Sequence, residues 1–305
     1  MVVAQYLLTF REVLEAALLT AIILAFLEKT GRERLVRYAW FGVYGATAAS
    51  FGLGAVIWFA YGTLSDASKV LFEGIAALIA VAVLTSMIYW MAMKGRTIKR
   101  EVESRVEVAV TQGAMLGLAS LTFVLVFREG LETVLFLTPF LVADTSTTLL
   151  GAALGLGAGL GLAFGIFRVG LKLDLRKFFY FTSVLLILLA GGLLGYGAHE
   201  LIEYAEIQGT DLGWFGQTAY ALPIAADSVF HHKGAIGSIF AVMFGYTVNP
   251  EWGRVVLHVV YLAITLPLII VVYRRPDWAR AAALRIRRLF RPSTASPESG
   301  TPRDD

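Results

Sequence analysis

Arg11, Glu12 and Glu15 lie within the string LTFREVLEAALL at residues 8–19. At 100° per residue the three fall inside about a 100° arc, so two carboxylates and a guanidinium share one helix face. Arg128, Glu129 and Glu132 repeat the pattern in LVFREGLETVLF at 125–136, aligned without gaps at an offset of 117. Both strings sit inside long apolar runs. There, each ionisable group costs ~2.5–3.5 kcal/mol, so it must face the protein interior and find partners. Two ion pairs that lock helices together account for one Arg and one Glu per helix and leave the second Glu unexplained. With all six groups ionised, four carboxylates against two guanidiniums leave a charge of −2. A bound divalent or trivalent cation compensates it, and so does protonation of one or two glutamates. A cation pathway is the stronger reading. The chain has no cysteine, so thiolate sites for Cu(I) or Zn are excluded, and an all-carboxylate set favours hard cations held by oxygen. Arg11 and Arg128 would then orient the glutamates, keep them ionised and weaken binding enough for release.

These residues need membrane helices to position them. Of 305 residues, 57% are apolar and 16% charged, with mean hydropathy +0.70. That excludes an ordinary soluble domain, a disordered chain and a disulfide scaffold. Seven apolar runs of membrane-spanning length occur, near 3–27, 38–62, 70–93, 112–138, 148–167, 178–198 and 252–273. The first lacks a basic start and carries three charges in its middle, unlike a cleaved signal peptide. Of the 26 lysines and arginines, 21 lie in 28–37, 94–107, 168–177 and the tail after 273. The positive-inside rule therefore puts the N-terminus outside and the C-terminus inside. No nucleic-acid partner is implied; the basic residues face the inner leaflet of a lipid bilayer.

The duplicated motif implies a three-helix unit used twice. Three is odd, so the second copy is inverted, an arrangement that places substrate sites at the midplane on the repeat interface. Gly42 and Gly52 in the second run correspond to Gly151 and Gly161 in the fifth. The expected fold is all-α and polytopic: seven transmembrane helices, two inverted three-helix repeats plus one helix. The expected units are 1–107, 108–198, an external connection over 199–251, the seventh span at 252–275, and 276–305. Within the connection, 234–248 is too short to span and reads as a re-entrant or interfacial helix. Residues 277–290 read as a basic amphipathic helix on the inner leaflet, followed by a disordered tail.

Acidic groups gather on the expected outer side: Asp66, Glu73, Asp144, Glu200, Glu203, Glu206 and Asp211. They would concentrate cations at the mouth. Glu206 and Asp211 read as ordinary solvated loop residues. Glu73, Glu200, Glu203 and His199, which shares a helix face with Glu203, form an outer approach. HELIE at 199–203 is not the zinc-protease motif, because Glu203 replaces its second His. His231 and His232 read as a surface pair and His258 as a packing residue. Met87, Met91 and Met93 read as core or lipid contacts. The glycines of 151–165 read as a close-packing surface.

REVLE at 11–15 and REGLE at 128–132, in the first and fourth of seven runs, resemble the paired motifs of the oxidase-dependent iron permeases. That family comprises the high-affinity iron permeases of yeasts and the EfeU-type bacterial permeases. The likeness covers residues 1 to about 275 and extends to LFEG at 71–74 and HEL at 199–201. It implies iron import across the cytoplasmic membrane, with Glu12, Glu15, Glu129 and Glu132 as iron ligands. It also implies that Glu73 and Glu200 serve the approach. Iron is then a transported substrate, no cofactor is expected, and the chain is not an enzyme. Ferric iron, oxidised outside by a ferroxidase or delivered by a periplasmic iron-binding protein, is the expected cargo; no recruitment motif for such a partner is visible. The one departure is Val13 where the second copy has Gly130. The same oxygen donors would suit Mn(II) or Pb(II). A heptahelical receptor gives no reason for a duplicated charged motif. A retinal pump needs a lysine in its last span, and 252–273 has none.

Overall fold

A computed structural model describes residues 2–94, 97–169, 175–234 and 236–274. The expected amphipathic helix and tail after 276 lie outside them. Among the described residues the chain is almost wholly helical. The α-helices are α1 (Val2–Lys29), α2 (Val36–Gly62), α3 (Asp66–Lys94), α4 (Ile98–Ala143), α5 (Thr145–Phe164), α6 (Leu175–Ile207), α7 (Gly237–Phe244) and α8 (Trp252–Arg274). Five of these, α2, α3, α5, α6 and α8, lie in segments long and apolar enough to cross a membrane. The two other long helices, α1 and α4, carry the Arg-Glu motifs. In lipid the helix is the form that satisfies every backbone polar group within one segment.

Two boundaries differ from the sequence expectation. The 94–107 stretch, expected as a loop, is helical from Ile98, so the expected 107/108 unit boundary falls inside α4. Its pattern explains this: Val102 and Val106 are buried, while Lys99 faces Glu103 one turn on at 4.0 Å. Arg32 pins this end through a two-point pair with Glu107 at 2.8 and 3.2 Å. Similarly, α6 continues past 198 to Ile207, carried by buried Ile202, so the HELIE residues stand on its last turns.

Packing follows the sequence repeat. α1 lies against α5 and α2 against α4, while α3 packs on α6 and α1 on α4. The glycines show how closely the exchange is matched. A Cβ added at Gly42 of α2 would lie 2.5 Å from the Ala119 carbonyl and 2.8 Å from both Phe123 N and Thr122 Cβ. One at Gly151 of α5 would lie 2.8 Å from the Val2 carbonyl, 2.8 Å from Gln5 Cβ and 3.3 Å from Tyr6 N. The offset of 117 carries Ala119, Thr122 and Phe123 onto Val2, Gln5 and Tyr6. Small residues continue one face of each helix at Ala46 and Ser50, and at Gly155 and Gly159, all buried. Gly157 and Gly161, by contrast, face open space. The packing role expected for the α5 glycines therefore falls on one face only.

The connection between α6 and α8 returns to the helix bundle. α7 presses the Val242 carbonyl onto Gly192, midway along α6. Its C-cap Gly245 has φ 65°, and a Cβ there would lie 2.7 Å from His258 Nδ1. His258 stands six residues into α8, about 9 Å along the helix at 1.5 Å per residue.

Candidate metal centre

Along α1, Ala4 and Leu8 belong to one buried apolar cluster and Ile23 and Leu27 to another. Along α4, Val102, Val106 and Leu118 belong to the second cluster and Phe136 to the first. Between the clusters the two helices bring their charged motifs together. Glu12, Glu15 and Glu129 each offer a carboxylate oxygen, all within 4.8 Å of one another, and all three are buried. Glu132 is also buried, at 6% exposed, but it stands outside this triad and accepts from Arg128 Nε at 2.8 Å. Three of the four expected ligands thus converge, and the fourth is engaged by its own arginine.

The two arginines have unlike surroundings. Arg11 is 1% exposed. Its Nη1 donates to Glu12 Oε1 at 2.8 Å and contacts Met87 Sδ at 3.0 Å. Its Nη2 lies 2.8 Å from Glu15 Oε1 as an ion pair off the line of a hydrogen bond. Arg128 is half-exposed, with its guanidinium 4.9 Å from the Trp90 ring centre. Met87 therefore does more than fill core. Glu12 Oε2, Glu15 Oε1, Glu129 Oε2 and Glu132 Oε2 are buried and accept no hydrogen bond from the described residues. Carboxylate oxygens left this way are what a hard cation coordinates.

A cavity opens from this cluster. It is lined by Glu15, Trp90, Met91, Leu125, Arg128 and Glu129 around the motifs and by Ile98, Glu101, Val102 and Arg105 on the first turns of α4. The cavity therefore extends from the cluster toward the end of the bundle where α4 begins.

At the opposite end a second group forms. His199, Glu200 and Glu203 each place a ligand atom within 4.8 Å of the others. Glu73, expected among them, has both oxygens engaged: Oε1 accepts from the Tyr61 hydroxyl at 2.6 Å and Oε2 from the Tyr196 hydroxyl. Glu251, just before α8, lies 2.8 Å from His199 Nδ1. Burial is the largest influence and opposes its ionisation, but the His199 hydrogen bond, a backbone hydrogen bond and the nearby His199 and Arg254 together hold its pKa below the usual carboxylate value. Sequence reading missed Tyr61, Tyr196 and Glu251, because their partners are remote in the chain. Two of the other outer acids do structural work. Asp144 caps α5 by accepting from Thr147 N at 3.1 Å, and Asp211 accepts from Gly213 N at 2.7 Å.

Two of the remaining histidines are occupied. His231 and His232 stack at 4.1 Å, and a ring nitrogen of each accepts a backbone N–H, from Lys233 and Val248. Burial first, then the nearby His231, Lys233 and Arg254, lower the His232 pKa to about 4. His258 packs against Gly191 and Gly245.

Residues 2–273 match the iron permease FTR1 family along nearly the whole described chain. The chain belongs to that family. This permease is 34% identical to the ferrous iron permease EfeU of Escherichia coli O157:H7, over 92% of this chain and 98% of that one. It is 31% identical to the ferrous iron permease EfeU of Yersinia pestis, over 94% and 99% of the two chains. An uncharacterized protein of Archaeoglobus fulgidus is 47% identical over 87% of this chain and 93% of its own. No solved structure matches. The FTR1-family permease is thus an iron-transport protein with several helices that can cross a membrane, and its family points to a transporter rather than an enzyme.

Proposed function

We propose that this permease imports iron across the cytoplasmic membrane through a buried site built by Glu12, Glu15 and Glu129, with Glu132 as the fourth carboxylate. The observation that carries the reading is the convergence of three carboxylates from both motif helices within 4.8 Å, between two apolar clusters. With Glu132 they exceed the two arginines by two charges, the compensation a divalent ion supplies. Seven spans, with the N-terminus outside, put the 94–107 end inside, so the cavity at Glu101 and Arg105 is the way out to the cytoplasm. The ion approaches from the other end, past Glu73, His199, Glu200 and Glu203. The reciprocal packing of α1 on α5 and α2 on α4 supports two inverted repeats, whose rocking would expose the site to each side in turn. The α7 segment is re-entrant on this reading.

The valence divides two readings. Ferric iron oxidised outside by a partner is what the resemblance to oxidase-dependent permeases implies. Ferrous iron is favoured by the names of the Escherichia and Yersinia relatives. Proteoliposomes loaded with the purified chain test both. Radiolabelled iron is offered as Fe(II) with ascorbate or as Fe(III) citrate, with Mn(II) and Pb(II) as competitors. Uptake in one valence arm should fall at least tenfold in Glu15→Gln and in Glu129→Gln; tenfold corresponds to about 1.4 kcal/mol. Unchanged uptake in both variants sinks the ligand assignment.

A further inference from the structure

We propose that His199, Glu200 and Glu203 form a second metal site at the outer mouth, selective for first-row transition cations and oriented by Glu251. The proposal rests on the outer-approach reading above but asks more of it: a discrete coordination site rather than a field of negative charge. Histidines that ligate metals nearly always donate their other ring N–H to a carboxylate, a backbone carbonyl or a water, which fixes the ring and its tautomer. His199 has this arrangement, with Nδ1 2.8 Å from Glu251 Oε1. With the proton on Nδ1, the lone pair is on Nε2, which faces Glu203 Oε2 at 3.9 Å. That is too long for a hydrogen bond. Bonds of ~2.0–2.2 Å to nitrogen and oxygen put adjacent donors about 2.8–3.6 Å apart, so the pair stands a few tenths of an ångström wider than two ligands of one ion and would close onto it.

The third ligand, Glu200, is 8% exposed, while Glu203 and His199 are partly open to solvent. The site is thus walled on one side and accessible on the other. Glu73 is not a ligand, because the two tyrosine hydroxyls hold its oxygens; it adds charge from behind. The surrounding charge is acidic, with Glu73, Glu200, Glu203 and Glu251 against the partly buried guanidinium of Arg254, which packs on Gly195. One imidazole with two carboxylates suits Fe, Mn, Co or Zn, whereas Mg²⁺ and Ca²⁺ take oxygen alone. The inner cluster has only carboxylates, so selection against the abundant alkaline-earth ions would be made at the outer site.

Co(II) binding to the detergent-solubilised full chain tests this, read by equilibrium dialysis and by the ligand-field spectrum. The wild type should bind two ions, Glu15→Gln/Glu129→Gln one, His199→Ala one, and the combined variant none. In the Glu15→Gln/Glu129→Gln background a hundredfold excess of Mg²⁺ should leave the ion bound. Glu251→Gln should weaken it about 10–100-fold without removing it. His199→Gln, with a side chain close in size, guards against loss through misfolding and should behave as His199→Ala. A single wild-type ion that disappears in His199→Ala but survives in Glu15→Gln/Glu129→Gln supports the outer site and removes the inner one. Unchanged stoichiometry in both His199 variants, or displacement by equimolar Mg²⁺, overturns the outer site.

Discussion

Val13 and Gly130 occupy the same place in the two motifs, and their difference has a packing cause. A Cβ added at Gly130 would meet Ser50, lying 2.8 Å from its Cβ. At the matching crossing the glycine is on the other helix: a Cβ at Gly159 would lie 2.9 Å from Val13 Cγ1 and 3.1 Å from Val13 Cβ. Each crossing has room for one side chain, and the halves chose opposite helices to supply it. Gly130→Ala should therefore destabilise the chain by about 1–3 kcal/mol, the usual cost of overpacking. Adding Ser50→Gly should recover most of that loss, since it vacates the colliding atoms. Thermal unfolding of the two single variants and the double in detergent measures the coupling. Additive losses, with no recovery in the double, would remove this explanation. The motif's charges were legible in the sequence because Arg and Glu are rare in membrane helices. Met87 beside Arg11 and Trp90 beside Arg128 were not, because nothing in apolar residues 76 and 38 positions away marks them as partners.

At the scale of elements, the long apolar runs marked seven of the eight α-helices among the described residues, and their ends proved less legible. A hydropathy window stops where charge begins, whereas a helix continues while one face stays apolar. That is why α4 starts at Ile98 on buried Val102 and Val106, and why α6 carries HELIE on to Ile207. The outer group depends on this extension, because only a continuous helix keeps His199 and Glu203 one turn apart on one face. The return of α7 to the middle of α6 depends on Gly245, which does two jobs. Its φ of 65° suits glycine, and its missing side chain admits the His258 ring. Gly209 shares the positive φ, at 75°, but has nothing within 4 Å. Gly209→Ala should therefore cost only the left-handed backbone penalty, about 1–2 kcal/mol. Gly245→Ala should cost that and a further ~1–3 kcal/mol for the collision. Equal losses in unfolding temperature would show that the seat against His258 contributes nothing.

The molecule as a whole is less symmetric than its sequence repeat. The helix packing exchanges faithfully between halves, yet Arg11 is buried while Arg128 is half-exposed beside the cavity. On the proposed inverted-repeat arrangement, the unlike surroundings of the two arginines mark a state open toward one side. The opposite state would exchange the surroundings of the two arginines. On the proposed topology the open side is cytoplasmic, which makes access a test of orientation and of state together. The chain has no cysteine, so single cysteines can be placed without background labelling. Asp66→Cys, at a fully exposed position that begins α3, should react with a membrane-impermeant maleimide in intact cells. Lys99→Cys should react only after the membrane is opened. Leu125→Cys, which lines the cavity, should follow Lys99→Cys in pattern but react more slowly, since it is partly buried whereas Lys99 is exposed. Labelling of Lys99→Cys from outside would reverse the topology. Labelling of Leu125→Cys from outside, with Lys99→Cys protected, would keep the topology and place the resting permease open outward instead.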